Sequence, residues 1–215
     1  IELPNNGNDF FDSSHFEILN EVSIKERVIV GKGNKRIAVV DCGVKWNIIR
    51  KLIDCGCEVE ILPWNTNLNT IDCNGWLLSN GPGDPKKTGN LQKQIAKLIK
   101  GNRPMLGICL GHQIMSLAAG AATFRMNYGH RSHNQPVYQV GTRKGYITSQ
   151  NHGFCVDGNS MPDDWDVWFR NANDETVEGI RHKTKPFMSV QFHPESAGGP
   201  RDTAWIIEEF VAEIK

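Results

Sequence analysis

The stretch PMLGICLGHQ, residues 104–113, passes from an apolar run through a cysteine fenced by two glycines into the start of a helix-like pattern. Gly107, Cys109 and Gly111 form G-x-C-x-G, the nucleophile elbow G-x-S-x-G with sulfur in place of oxygen. In such an elbow a reactive side chain is lifted clear at a strand-to-helix turn, where neighbours bearing side chains would collide with the strand and the helix. The helix that follows supplies unpaired N–H groups and a positive dipole end, both favourable to a thiolate and to a developing oxyanion. A buried cysteine in a glycine-rich turn explains these five residues equally well, so the context decides.

Outward from the elbow, strand and helix patterns alternate. RIAVVD (36–41) reads as a buried strand, and KWNIIRKLIDCG (45–56) as a helix with Trp46, Ile49 and Ile53 on one face and a stop at Gly56. EVEILP (58–63) and GWLLSN (75–80) are the next strands. LQKQIAKLIKG (91–101) is an amphipathic helix with Leu91, Ile95, Leu98 and Ile99 inward, and PMLGIC and GHQIMSLAAG supply the strand and helix of the elbow. This alternation predicts an α/β fold, a mostly parallel central sheet with helices on both faces. After Ala121 come short strands with turn signals between them: QPVYQV, GYITSQ, WDVWFRNA, VEGIRH and FMSVQF, read as an antiparallel extension. DTAWIIEEFVAEIK closes the chain as a helix. Residues 1–34, with LPNNGNDFFDSS and the flexible joint GKGNK, read as a linker and the tail of a preceding domain in which EVSIKERVIV adds a short strand; residues 35–215 form the main domain.

Bulk composition narrows the function. At 215 residues and 39% hydrophobic content the chain can bury one large core. Twenty-four basic residues balance 24 acidic ones, so no summed field favours nucleic acid or an anionic membrane surface. No apolar run approaches the ~20 residues a bilayer span requires, and no segment reads as a secretory signal, so a cytoplasmic location is expected. The six cysteines are expected to be free thiols, with Cys55 and Cys57 ordinary helix-end and strand residues. His130 and His133 lack a second ligand pair at zinc-like spacing and are expected to be structural or loop residues, so no metal is expected.

A thiol nucleophile needs a base, and the base a group to fix its tautomer. SVQFHPES (189–196) offers both, since His193 and Glu195 stand two apart in an extended segment stiffened by Pro194, which puts their side chains on one side. His193 also follows a strand whose end would expose it at one edge of the sheet.

GICLGHQ, SNGPGDP (79–85) and QFHPE together resemble the class I, triad-type glutamine amidotransferases. SQNHGF (149–154), GHRSHNQP (129–136) and VVDCGVKWNIIRKL (39–52) are similar to the glutaminase part of carbamoyl-phosphate synthetase, most of all to the eukaryotic fused forms of pyrimidine synthesis, from about Glu21 to the C-terminus. The resemblance implies a class I amidotransferase-like fold and hydrolysis of L-glutamine to L-glutamate and ammonia, supplied to carbamoyl-phosphate synthesis. Cys109 would form a γ-glutamyl thioester, His193 would shuttle the proton and Glu195 would orient it. Gly81 and Gly83 would face the substrate and contribute an N–H to an oxyanion hole with that of Leu110. Gln113, Asn151, Gly153 and Phe154 would hold the glutamine. His152 receives no catalytic task. No cofactor is expected in this domain, since ATP and Mg would belong to a synthetase domain, the expected partner, of the same larger polypeptide. Service to arginine or urea synthesis would make the location mitochondrial.

The chain departs from the family pattern in two places. The segment usually written G-N-R-G-H-N-Q-P has His130 and Ser132 here, and the common Tyr after Lys45 is Trp46. Some relatives that use free ammonia have lost the cysteine, and this chain retains it. Rival readings are an amidotransferase serving anthranilate, GMP or CTP synthesis, a non-catalytic regulatory module of the same fold, and a thiol protease, for which the glutamine-holding residues leave little room.

Overall fold

The computed structural model describes residues 18–215. Of the expected linker, residues 1–17 lie outside the described part; the rest packs onto the domain. A single helical turn, α1 (Leu19–Val22), leads into β1 (Val28–Val30), which pairs antiparallel with β3 (Cys57–Pro63) at the sheet edge. The expected short strand in EVSIKERVIV is thus β1.

The core follows from residue alternation. In β2 (Lys35–Asp41), Ile37 and Val39 point to one face of the sheet and Ala38 and Val40 to the other, all fully buried. The first face is covered by α2 (Trp46–Asp54) and α5 (Trp205–Glu213), the second by α3 (Asn90–Leu98) and α4 (Leu110–Ala119). Helix α2 buries Ile48, Ile49 and Leu52, while Trp46 and Ile53 of the expected stripe are 56% and 37% exposed. The buried Ile48, Ile49 and Leu52 form the i, i+3, i+4 set that meets the sheet, and Trp46 and Ile53 lie together on its flank. In α3, Leu91 and Ile95 are buried as expected, Leu98 and Ile99 only half-buried, and Gln94 turns inward to accept from the Leu68 N–H (2.7 Å) and donate to the Thr66 carbonyl (3.0 Å).

The parallel strands β3, β2, β4 (Gly75–Leu78) and β5 (Met105–Ile108) lie side by side, and the β3-to-β4 connection crosses through an irregular loop with one 3₁₀ turn in place of a helix. The sheet has ten strands in the order β1-β3-β2-β4-β5-β10-β9-β7-β6-β8, with β8 also pairing β9. The other members are β6 (Thr123–Gln139), β7 (Gly145–Val156), β8 (Trp165–Asn171), β9 (Val177–His182) and β10 (Phe187–Val190).

One expectation changes here. FMSVQF, expected in the antiparallel extension, forms β10, which runs parallel to β5; only its other edge pairs antiparallel, with β9. The apolar sequence Phe187–Val190, buried on both faces, is what a central strand requires. The region 123–134, assigned to no element from the sequence, is the first part of β6. Its polar residues and glycine have weak strand propensity, and pairing along β7 holds them extended. No helix among the described residues is long and apolar enough to cross a membrane.

Candidate active site at the carboxyl ends of four strands

The parallel strands β2, β4, β5 and β10 all end on one side of the sheet, the edge at which open α/β sheets bind ligands. The residue after β5 is Cys109, with φ 55° and ψ −104°. A non-glycine residue held at positive φ is strained and persists only where its surroundings over-determine it. The two glycines supply that room. A Cβ on Gly111 would lie 2.1 Å from the Leu78 carbonyl oxygen, and one on Gly107 would lie 2.7 Å from the carbonyl oxygen of Gly111. The chain crosses itself there too tightly for any side chain. Cys109 is the N-cap of α4, so its sulfur stands at the helix end where the Leu110 N–H opens the ladder.

His193 reaches the same point from the neighbouring strand. Parallel register sets Val190 beside Ile108, and the Cys109 N–H donates to the Val190 carbonyl at 2.8 Å. Three residues past the strand, the His193 N–H donates to the Ser149 carbonyl at 3.0 Å, and its imidazole lines the same cavity as Cys109. Its Nδ1 lies 2.8 Å from Glu195 Oε1. Glu195 is 1% exposed and is flanked by Lys45, whose Nζ stands 3.3 Å from the same oxygen, while Asn47 donates to the Glu195 carbonyl. Burial opposes a charged imidazole, but attraction to Cys109, then the hydrogen bond and attraction to Glu195, outweigh it and raise the His193 pKa to about 9. For Glu195 burial likewise favours the neutral acid, and His193 and Lys45 reverse this, holding the carboxyl below its usual range.

The glycine loop after β4 forms the facing wall. Ser79 Oγ accepts from the Cys42 N–H (2.9 Å), and Asn80 accepts from the Lys45 N–H (3.0 Å) while donating to the Gly43 carbonyl (3.0 Å), so the loops after β2 and β4 are tied together. A Cβ on Gly81 would fall 2.0 Å from the Cys42 carbonyl oxygen, and Gly83 has φ 98°. Only glycine allows the loop this close.

The fourth wall is β6–β7, whose register pairs Arg125 with Phe154, His130 with His152 and Arg131 with Asn151, with residues 126–129 bulged opposite Gly153. Gln113, one turn into α4, donates from Nε2 to the Phe154 carbonyl and to Gln191 Oε1, both at 2.9 Å, and so fixes that wall to the elbow helix. The enclosed cavity has a volume of about 490 Å³. Of the residues singled out in the sequence, Cys109, His193, Gly81, Gly83, Gln113, Asn151, Gly153 and Phe154 line it. Leu110 is buried behind Cys109, and Glu195 stands behind His193. Lys45, Arg125 and Arg131 also line it and escaped the sequence reading. Only the strand pairing, which carries no local signal, brings the two arginines here.

All six cysteines are free, five of them buried, and Cys55 and Cys57 cap α2 and open β3. His152, given no catalytic task, is buried with Nδ1 2.9 Å from the Phe154 carbonyl and Nε2 3.0 Å from Gln150 Oε1. His130, expected in a structural or loop role, lies in β6. The arrangement as a whole can hold a small polar molecule against a sulfur that has a proton acceptor, a fixed orienting carboxylate and backbone N–H groups around it.

Comparison with known proteins agrees with this geometry. The chain is 46% identical over 203 residues to the multifunctional protein CAD of Squalus acanthias, covering 93% of this chain and 9% of that one. It is 49% identical over 207 residues to the carbamoyl phosphate synthase small chain of Methanocaldococcus jannaschii, covering 94% and 58% respectively. The chain thus spans less than two thirds of either relative. A crystal structure of a putative GMP synthase subunit from Thermoplasma acidophilum superposes with a TM-score of 0.72 at 26% identity, over 83% of this chain and 93% of that one. The family model described as glutamine amidotransferase class-I matches residues 38–213, which take in every strand and helix that builds the cavity. With the elbow cysteine, its histidine and the buried glutamate in place on that scaffold, the chain belongs to the class I glutamine amidotransferases.

Proposed function

We propose that the chain hydrolyses L-glutamine to L-glutamate and ammonia and that a carbamoyl-phosphate synthetase partner consumes the ammonia. The Cys109 sulfur attacks the side-chain amide carbon, and the oxyanion that forms is met by the Leu110 N–H at the start of α4 and an N–H of the Gly81–Gly83 loop. His193 takes the thiol proton and returns it to the departing nitrogen, which leaves as ammonia. It then deprotonates a water that opens the γ-glutamyl thioester, releasing glutamate and restoring the thiol. Glu195 fixes the Nδ1 proton and supports the imidazolium, Lys45 fixes Glu195, and Arg131 is placed to pair with the substrate's α-carboxylate.

One observation carries this reading. The Cys109 sulfur lines a cavity large enough for one amino acid together with an imidazole whose Nδ1 lies 2.8 Å from a buried carboxylate. The high identity to carbamoyl-phosphate synthase small chains favours that synthetase over one making GMP. ATP and Mg are assigned to the partner. Pyrimidine synthesis in the cytoplasm is the proposed setting. Ammonia release from glutamine, measured with and without the synthetase, should rise in its presence; equal rates would remove the coupling. A glutamine-mimicking electrophile should label Cys109, and failure to label it would remove the hydrolysis itself.

A further inference from the structure

Behind the β6–β7 wall, three strands bring together a set of side chains that hydrolysis does not use. His130 of β6 and His152 of β7 are direct cross-strand partners, with ring centroids 4.9 Å apart and planes at 85°. Glu178 of β9 completes the group, and its side chain is fully buried. Glu178 Oε1 lies 3.2 Å from His130 Nδ1 and 3.8 Å from His152 Nε2, and the three atoms fall within 4.8 Å of one another. Donor atoms around a tetrahedral zinc ion, at ~2.0–2.1 Å from the metal, are separated by roughly 3.3 Å.

We propose that His130 Nδ1, His152 Nε2 and Glu178 Oε1 form a site for one divalent zinc-class ion, beside the substrate cavity and sharing His152 with its wall.

Each ligand already has the partner a metal ligand needs. The outer nitrogen of a metal-bound histidine donates to a carboxylate or a carbonyl, which fixes its tautomer. His130 Nε2 is 2.9 Å from Asp174 Oδ2, and His152 Nδ1 is 2.9 Å from the Phe154 carbonyl. Both rings therefore aim their remaining nitrogen at the Glu178 carboxylate. Two imidazoles and one carboxylate are a donor set that suits zinc rather than calcium or magnesium.

The hydrogen-bond inventory asks for a cation at the same point. Thr148 Oγ1 donates its only proton to the Gln135 carbonyl (2.8 Å), so toward Gln150 it can only accept, and it does so from Nε2 at 3.0 Å. That fixes Gln150 with Oε1 facing both rings, 2.8 Å from His130 Nδ1 and 3.0 Å from His152 Nε2. His152 then has an oxygen against each nitrogen, yet a neutral imidazole carries one N–H. A second proton would instead set two imidazolium rings beside each other in a buried place. Glu178 Oε2, also buried, has no protein partner. A metal among the three donors removes the need for a second N–H on His152, with Gln150 Oε1 available as a fourth ligand. Entry is short, because the Asp174 side chain is 40% exposed and His130 10%.

His130 is where this chain departs from the asparagine usual at that position of the motif, so His130→Asn is a substitution the fold should tolerate. The binding test uses Cys109→Ser, because the Cys109–His193 pair is itself a possible zinc ligand set. The variant, stripped with chelator, is titrated with Zn²⁺ against a chromogenic chelator, and X-ray absorption is recorded at the zinc edge. One equivalent should bind with only nitrogen and oxygen neighbours, including imidazole. Adding His130→Asn should weaken binding at least 100-fold while the melting temperature without metal stays within a few degrees. Glu178→Gln should weaken it likewise, and His133→Ala should leave it unchanged. No stoichiometric binding by Cys109→Ser, or equal affinity after His130→Asn, would reduce the cluster to a hydrogen-bonded ion pair and overturn the proposal. Neither outcome bears on glutamine hydrolysis.

Discussion

Replacing Gly111 by alanine is the most direct challenge to the account of the elbow. The new Cβ would fall 2.1 Å from the Leu78 carbonyl oxygen and 2.6 Å from the Leu78 carbonyl carbon, both backbone atoms that no rotamer change can move. Ordinary contact begins near 3.4 Å, so the strand end and the helix start must part by more than an ångström. Overpacking of this kind costs about 1–3 kcal/mol in a well-packed core. A displacement of about 1 Å in catalytic geometry costs on the order of 100-fold in rate. The separation falls between β4 and α4, the two elements that carry the glycine loop and the Cys109 sulfur, so activity should suffer more than stability. Thermal melting and kcat/KM for glutamine would be measured side by side. Gly145→Ala serves as control, because its nearest neighbour would be the Val137 carbonyl oxygen at 3.7 Å. Wild-type melting and turnover in Gly111→Ala would refute the steric explanation of the G-x-C-x-G pattern, while loss in both variants alike would make it a general glycine effect.

Glu195→Gln keeps the shape at the histidine but removes its charge, so kcat should fall about 10²–10⁴-fold with little change in KM, and the His193 pKa, followed by NMR, should drop from its raised value; an unmoved pKa would contradict the role given to the carboxylate. Arg131→Ala should raise KM by roughly 10- to 100-fold while sparing kcat, as expected for the loss of a charge-assisted contact to a carboxylate worth about 1.5–3 kcal/mol; a fall confined to kcat would assign Arg131 elsewhere. His112 is wholly buried, its Nδ1 2.8 Å from Ser189 Oγ, and burial lowers its pKa to about 3. Because the unfolded chain takes up that proton near pH 6.5, its contribution is intact above 6.5 and is lost as pH falls toward 3, about 2 kcal/mol by pH 5. Urea unfolding at pH 7 and pH 5 should show this loss in the wild type and a smaller one in His112→Gln; equal losses would place the acid sensitivity elsewhere.

The parallel half of the fold and the chemistry at its edge are legible in the sequence because both rest on short-range patterns. Apolar runs of strand length alternating with helical periodicity mark β2 to α4, and glycine at fixed offsets from Cys109 marks the turn. His193 and Glu195 stand two apart in one segment, so a single strand end places both. What escapes depends on register. Arg131 faces the cavity because it is paired with Asn151, and residues 123–134 are extended because β7 holds them so; neither fact leaves a trace in local composition. Trp46 belongs to the apolar stripe by spacing but not by burial, because periodicity gives a helix its stripe and not which side of that stripe the sheet covers. The parallel pairing of β10 is hidden because an apolar tetrapeptide does not encode the direction of its neighbours.

The position of β10 has one more implication. It is the joint between the two halves of the molecule, and it follows every other strand of the sheet in chain order. During translation the thiol of residue 109 emerges long before the imidazole that would activate it, and the two meet only when the last inner strand slots between β5 and β9. A product that stops short of β10 therefore carries a sulfhydryl without its activating imidazole. Electrophile reactivity at this one atom would report that the whole sheet has closed, which makes it a built-in gauge of complete folding.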